Sequence, residues 1–282
     1  MKKGSLVFVL ILLALAGIIY FMGGCKKNAE NTTNLPVNSK NSATDNALAE
    51  NLYNNVKDWS DQAMAGAALK STWTDTVFMG TCVLATLDTT ASTWVLTINF
   101  GSTNCLCTDN KYRRGKIIAA LTGPYWAPGT VITYTFDNYF VDDNQLLGSK
   151  VVTNKGFNSS NHLWWEITEN GSVIKANNGG TITWISTRQL ELTEGFTTLW
   201  KWWDDAYQLT GEAHGVNSDG ADYQYNITTP LKKKVNCQWI VSGILTLQVA
   251  GLPLITMDYG TGNCDNEADI IINGQTYPIT LP

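Results

Sequence analysis

Two pairs of neighbouring carboxylates are the candidate catalytic groups of this sequence that need the fewest other groups around them. Glycoside hydrolysis needs two carboxyl groups about 5 to 10 Å apart, and the pairs to consider are Glu166 with Glu169 and Asp204 with Asp205. Adjacent residues of a strand point to opposite faces, which places Asp204 and Asp205 badly for a shared bond. We therefore interpret these acids as solvated turn residues, expect no catalytic residues, and keep a glycosidase as a remote alternative.

The other reactive or metal-binding side chains match no known catalytic or metal-binding motif. The two histidines, His162 and His214, accompany no Gly-Xaa-Ser-Xaa-Gly elbow and no cluster of His and Cys at zinc-ligand spacing. No phosphate loop or dinucleotide signature occurs. Loop oxygens could bind calcium, although without EF-hand spacing, at Asp137, Asp142, Asp143 and Asn144 or at Asp265 and Asn266. The sequence predicts no cofactor, no metal centre and no enzyme activity.

Tryptophan is the unusual residue of this chain. Eleven of the 282 residues are Trp, and several stand in doublets, Trp164-Trp165 and Trp202-Trp203. A doublet on a strand sends one ring to each face, so one ring is exposed unless both faces are buried. Because flat exposed rings can stack on sugars, Trp164, Trp165, Trp202 and Trp203 are a candidate glycan platform. The alternative is that these rings fill the core.

The N-terminus has the pattern of an export signal. Lys2 and Lys3 precede an apolar run that ends in Gly23-Gly24-Cys25. The end of this pattern resembles the lipobox of bacterial lipoproteins, in which the Cys is acylated and becomes the first mature residue. We therefore predict a signal peptide over 1–24 and lipidation at Cys25, with an uncleaved anchor helix as the alternative. The polar segment 25–44 is expected to be a disordered tether.

A repeated motif organises the rest of the chain and its cysteines. Leu96-Thr-Ile-Asn-Phe-Gly-Ser-Thr-Asn-Cys105 aligns without a gap with Ile255-Thr-Met-Asp-Tyr-Gly-Thr-Gly-Asn-Cys264, within repeated units at 82–121 and 237–281. The repeat predicts disulfides between Cys82 and Cys105 and between Cys237 and Cys264 in an oxidising compartment. Cys107 is left over, and it could replace Cys105 as the partner of Cys82.

The elements that must position these groups are almost all strands. Apolar residues at three- and four-residue steps predict one short helix over 45–70, and 71–282 reads as an all-β domain. Asn170-Gly171, Asp219-Gly220 and Asn273-Gly274 are predicted turns, since tight hairpin turns need positive φ. The pattern predicts an antiparallel meander of repeated hairpins, closed as a sandwich, a barrel or a coiled sheet.

Charge limits the kinds of partner. The formal net charge is −5, and the only basic run is the short Lys232-Lys233-Lys234 segment. Without a basic face, nucleic acid is not expected as a partner. The expected partners are the lipid membrane, through acylated Cys25, and a glycan or an envelope protein.

Further motifs extend through the domain, namely Asn99-Phe-Gly-Ser-Thr-Asn-Cys105, Arg113-Arg-Gly-Lys116, Phe136-Asp-Asn-Tyr139, Asp204-Asp-Ala-Tyr-Gln-Leu-Thr-Gly211 and Asp258-Tyr-Gly-Thr-Gly-Asn-Cys-Asp-Asn266. Together with the Cys25 signal, they resemble uncharacterised lipoproteins of the Bacteroidota over nearly all of the chain after the tether. The resemblance implies an all-β periplasmic or surface domain and brings no activity or site residues.

The expected function is that of a bacterial envelope lipoprotein, anchored by lipid to the outer membrane. Its β-rich domain would be a structural or interaction module. The alternative is a glycan-binding lipoprotein that uses exposed Trp residues.

Overall fold

The computed structural model of this protein describes residues 36–68, 76–78, 82–198 and 202–282. The predicted signal peptide, the lipidation site Cys25 and most of the predicted tether lie outside the described residues. Within the described part, no helix is both long enough and apolar enough to cross a membrane.

The single α-helix of the described chain, α1 (Val37–Ala68), is longer than the sequence pattern indicates. The predicted helix start at residue 45 and the predicted extension of the tether to residue 44 are therefore wrong for residues 37–44. Ser39 is completely buried, and the Asn217 side-chain amide donates to the Ser42 hydroxyl at 2.8 Å. Packing against the turn that contains Asn217 thus stabilises a first helical segment whose composition alone is that of a linker.

Strands make up most of the remaining described residues. They are β1 (Thr76–Phe78), β2 (Leu84–Asp88), β3 (Trp94–Asn99), β4 (Cys105–Leu106), β5 (Tyr112–Leu121), β6 (Val131–Val141), β7 (Asn144–Phe157), β8 (Leu163–Ile174), β9 (Thr181–Glu194), β10 (Ala206–Val216), β11 (Asp222–Lys234), β12 (Ile240–Val249), β13 (Ile255–Thr261), β14 (Glu267–Ile272) and β15 (Gln275–Thr280).

The strands form one antiparallel sheet in nearly sequential order, which confirms the predicted meander. The order runs from β1 to β15, and only the short β4 leaves this path to pair with β5. No pairing joins β1 to β15 among the described residues, so the sheet is open and coiled rather than closed into a barrel. Long antiparallel strands twist right-handedly, and the twist curls the sheet around α1.

The coiled sheet encloses α1 on several sides. The Tyr53 hydroxyl donates to the backbone oxygen of Leu147 in β7 at 2.9 Å, and the Trp59 ring packs edge-on against Phe100 at 5.2 Å. The apolar stripe predicted for the helix is mostly buried, with Leu48 only half-buried. Polar helix residues are buried as well, because the sheet covers more than one helical face; they include Asn46, Glu50, Lys57 and Ser60.

Two of the three predicted turn signals lie in turns. Asn273 and Gly274 have φ angles of 51° and 79° between β14 and β15, and the Asp219-Gly220 signal lies between β10 and β11. The third prediction is wrong, because Asn170 and Gly171 lie inside β8. A Cβ on Gly171 would overlap the Leu147 oxygen and the Tyr53 hydroxyl. Glycine is needed there for the close approach of β7 and α1, not for a change of direction.

Both predicted disulfides are present. The Cα atoms are 6.1 Å apart in Cys82–Cys105 and 5.7 Å apart in Cys237–Cys264, and Cys107 is a buried free thiol. Each bond closes its own repeated unit, and the two units form opposite ends of the strand order.

The corners of the two repeated units nevertheless meet over α1. The Gln238 side-chain amide donates to the Asp109 backbone oxygen at 2.7 Å. In a flat meander these corners would lie at opposite ends of the strands. Seven strand-to-strand steps separate β5 from β12, and a twist of about 20–25° per step accumulates to roughly 140–175°. This rotation turns the second unit end for end and brings the corners together.

Candidate functional site

Glu169, one of the carboxylates considered for catalysis, lies in a buried ion pair. Its Oε1 atom accepts from the Lys150 ammonium at 2.9 Å, and its Oε2 atom accepts from Trp184 at 2.7 Å and from Ser186 at 2.6 Å. Burial alone would raise the pKa of Glu169, but the charges of Lys150 and Arg188 outweigh it and lower this pKa to about 2. Glu169 is therefore a fixed anion inside the domain.

The same buried network joins the sheet to α1. Arg188 of β9 donates to Glu50 of the helix at 2.9 Å, and the Tyr225 hydroxyl donates to the other Glu50 oxygen at 2.7 Å. The Lys150 ammonium also donates to the backbone oxygen of Tyr53 at 2.9 Å. These charges cross-link helix and sheet, and they are closed off from solvent by both.

The predicted carboxylate pairs do not share a cleft. Glu166 is exposed on the outer face of β8, where Lys155 binds it at 3.0 Å, whereas Glu169 is buried on the inner face. A strand places residues three apart on opposite faces, so this pair cannot flank one glycosidic bond. Asp205 is half-buried and accepts from the Tyr207 hydroxyl at 3.3 Å, while Asp204 is exposed. Burial raises the pKa of Asp205 to about 6.

The first acidic loop considered for calcium is occupied by cationic side chains, and in the second the Asp265 carboxylate accepts from the Glu267 backbone N–H at 3.2 Å. Lys116 binds Asp137 at 3.1 Å, and Arg114 binds Asp143. Within the described ranges, no group of three or more His, Cys, Asp or Glu side chains could hold a metal ion.

The described tryptophan side chains of the predicted glycan platform do not form one surface, because Trp164 and Trp165 lie on opposite faces of β8. Trp165 is only 3% exposed and packs against Tyr207 and the Lys57 ammonium, so its assignment to the platform is wrong. Trp203 is 50% exposed in the short 3₁₀ turn Trp202–Asp204, and the side chain of Trp202 is outside the description. Trp164 is partly exposed on the outer face of β8. Trp164 lines a depression.

This depression, the outer-face patch, crosses β8, β9 and β10. It has a volume of about 160 Å³, and it is lined by Asn158, Trp164, Gln189, Glu191, Gln208 and Thr210. Trp164 lies directly opposite Glu191 in the pairing of β8 with β9. The patch therefore combines one aromatic ring with amide, hydroxyl and carboxylate groups on the outer face of the sheet.

The ionic groups in and around the outer-face patch already have hydrogen-bond partners. His162 Nδ1 lies 2.6 Å from Glu191 Oε1, and hydrogen bonds from the Asn158 and His162 side chains lower the pKa of Glu191. The Lys155 ammonium lies 5.7 Å from the Trp164 ring centroid and pairs with Glu166. The Glu191 carboxylate in the patch is thus already hydrogen-bonded before a ligand arrives.

The amides of the patch are the functional groups that the sequence interpretation missed. Gln189, Gln208 and Thr210 make no side-chain hydrogen bond within the described residues, which leaves their donors and acceptors to solvent or a ligand. Burial alternates along β9, and Gln208 is exposed between buried Tyr207 and Leu209 of β10, which places these side chains on the outer face. No short stretch of the sequence predicts the pairing of β8, β9 and β10 that brings these side chains beside Trp164.

The fold defines the class of the molecule as an all-β domain, made of one open antiparallel sheet coiled around a helix. In comparisons with known proteins, no protein-family model, no curated protein sequence and no solved structure matches this chain.

Proposed function

We propose that this protein is a lipid-anchored protein of the bacterial cell envelope, and that its β domain is an interaction module whose ligand at the outer-face patch is a carbohydrate. The anchoring part of the proposal is supported by the Cys25 signal, since two or three acyl chains on one Cys attach a protein stably to a membrane. The carbohydrate part is supported by the residues of the patch.

The observation that carries the ligand assignment is the partly exposed Trp164 ring beside unpaired amides. The apolar face of a sugar ring can stack on an indole, while its hydroxyls exchange hydrogen bonds with carboxamides that both donate and accept. Such a combination of one aromatic surface with a few placed polar groups is typical of small-molecule sites. Because the Glu191 carboxylate is already hydrogen-bonded and would repel an acidic sugar, a neutral glycan fits better than an anionic one.

The proposal is tested by titrating full-length protein in detergent with a panel of neutral oligosaccharides, measured by isothermal titration calorimetry. We expect Trp164→Ala to weaken binding at least tenfold, because it removes the stacking surface. Trp164→Phe, which keeps an aromatic ring, should retain part of the affinity. Trp203→Ala removes an exposed indole elsewhere and should leave the affinity unchanged.

Thermal unfolding of each variant checks that the domain is intact. Two results would contradict the carbohydrate assignment. One is a panel in which no glycan binds, and the other is a Trp164→Ala protein that binds as tightly as the wild type.

A further inference from the structure

A second depression, larger than the outer-face patch, lies where the two disulfide corners meet over α1. This corner bowl has a volume of about 260 Å³, and its polar lining includes Asn51, Asn55, Gln62, Thr108, Asn236 and Gln238. Its floor is the helix, and its walls are the segment after Cys107 and the segment around Cys237. Residues far apart in sequence therefore contribute to one concave surface.

The walls of the corner bowl are held in place by contacts that do not depend on a ligand. Arg113 binds both carboxylate oxygens of Asp109 at 2.7 and 2.6 Å, and its guanidinium lies 5.0 Å from the Trp59 ring centroid. Gln238 ties the second wall to the Asp109 backbone and accepts from Asn51 at 3.4 Å through its own backbone oxygen. A bowl that is preformed in this way loses little conformational entropy when it binds.

Every charged group that lines the bowl already has an ionic partner. Asp58 pairs with Lys233 at 2.5 Å, and Lys111 pairs with Asp142 at 3.4 Å. Asp109 pairs with Arg113. A charged ligand would have to displace one of these pairs, so the electrostatics favour a neutral ligand.

The bowl must bind through hydrogen bonds rather than through ring stacking. Trp59, the aromatic residue of its lining, is only 4% exposed and offers no open face. Gln62, Thr108 and Asn236 make no side-chain hydrogen bond within the described part of the chain. Asn55 donates to Asn51 at 2.5 Å and keeps its own carbonyl oxygen available.

From these observations, we infer that the corner bowl is a second binding site, for a neutral sugar that carries an acetamido group. A carboxamide offers a donor and an acceptor side by side, which is the complement of the N–H and C=O of an acetamido group. A site that binds by such hydrogen bonds rejects an analogue that lacks the group, because its polar atoms are then left unpaired. The volume, below the roughly 300 Å³ at which pockets for drug-sized ligands begin, suits one sugar ring with its acetamido group.

This inference rests on the proposed role in carbohydrate binding, and its test separates the two sites. Di-N-acetylchitobiose and cellobiose share size and linkage and differ in the acetamido groups. Each is titrated into full-length protein in detergent by isothermal titration calorimetry. We expect di-N-acetylchitobiose to bind at least tenfold more tightly than cellobiose.

Variants of the unpartnered amides assign this preference to the bowl. Gln62→Ala and Asn236→Ala should each weaken di-N-acetylchitobiose binding roughly two- to tenfold, and the double variant should abolish the preference over cellobiose. Asn236→Asp keeps the shape but removes the N–H donor, so it should weaken binding like the alanine variant. Gln224→Ala removes an exposed amide of β11 outside the bowl and is the matched control.

The outcomes distinguish this inference from the proposed function. Equal affinity for the two disaccharides, or a preference that survives in the double variant, overturns the bowl assignment. If Trp164→Ala abolishes binding of both disaccharides and the bowl variants change neither, the outer-face proposal stands and the bowl assignment falls. If the bowl variants abolish the preference and Trp164→Ala changes no affinity, the bowl assignment stands and the outer-face proposal falls.

Discussion

Replacement of Glu169 by Gln should reveal how strongly the buried ion pair stabilises the domain. The substitution keeps the size of the side chain but leaves the Lys150 ammonium in the interior without its counter-charge. Removal of one partner from a buried ion pair costs about 3–5 kcal/mol. The pKa of Glu169 supports a value at the lower end of this range. The difference between its ordinary 4.5 and about 2, at about 1.36 kcal/mol per pH unit, corresponds to about 3 kcal/mol.

The same pKa predicts a pH window for the effect. Because the pKa of Glu169 is lower in the folded state than in the unfolded state, the ion pair contributes its full stabilisation above about pH 4.5. This contribution is lost as the pH falls toward about 2, the folded-state pKa. The difference in free energy of unfolding between wild type and Glu169→Gln should therefore be largest near pH 7 and should shrink below pH 4.

Urea unfolding at pH 7 and at pH 3 measures both quantities, and Glu166→Gln is the matched control. Glu166 lies on the same strand but on the exposed face, where its pair with Lys155 should contribute about 0–1 kcal/mol. If Glu169→Gln and Glu166→Gln differ by less than about 0.5 kcal/mol at pH 7, the assigned role of the buried pair is refuted. A Glu169→Gln effect that grows as the pH falls would refute the sign of the linkage.

Two further predictions concern the anchor and a half-buried acid. Intact-mass analysis of membrane-extracted protein should show a chain that starts at acylated Cys25, and Cys25→Ala should abolish acylation and membrane attachment; unmodified Cys25 in the wild type would contradict the anchor. The folded-state pKa of Asp205, about 6, lies above its ordinary 3.8, so stability should fall as the pH rises through this interval. Asp205→Asn should remove that fall in stability and raise the free energy of unfolding at pH 7.5 by about 1 kcal/mol, a value reduced for solvent screening. Equal urea midpoints for the wild type and Asp205→Asn at pH 7.5 would contradict this prediction.

Local signals in the sequence were enough to predict the antiparallel meander, the Asn273-Gly274 turn and the two disulfide bonds. Alternation along each strand and steady turn spacing predict antiparallel neighbours, because consecutive strands can pair across a short connection. Asn273-Gly274 forms the predicted turn because both residues adopt the positive φ that it requires. The Cys82–Cys105 and Cys237–Cys264 bonds follow from a repeat that is visible in the sequence.

Tertiary packing decided which local signals were overridden. Residues 37–44 have the composition of a tether but are helical, since the turn around Asn217 covers them. Asn170-Gly171 has the composition of a turn but lies inside β8, where the absence of a Cβ lets β7 and Tyr53 approach. In both places, contacts with distant parts of the chain outweigh the preference of the segment itself.

The two candidate sites depend on the tertiary structure even more. Alternation predicts that Trp164 and Trp165 point to opposite faces, but which ring is buried depends on the side of the sheet that α1 covers. Gln189 and Gln208 reach Trp164 only through the register of three strands. The corner bowl joins Thr108 to Asn236 because twist accumulates over the strands between them. Each of these arrangements depends on many strand pairings together, so no short stretch of the sequence predicts it.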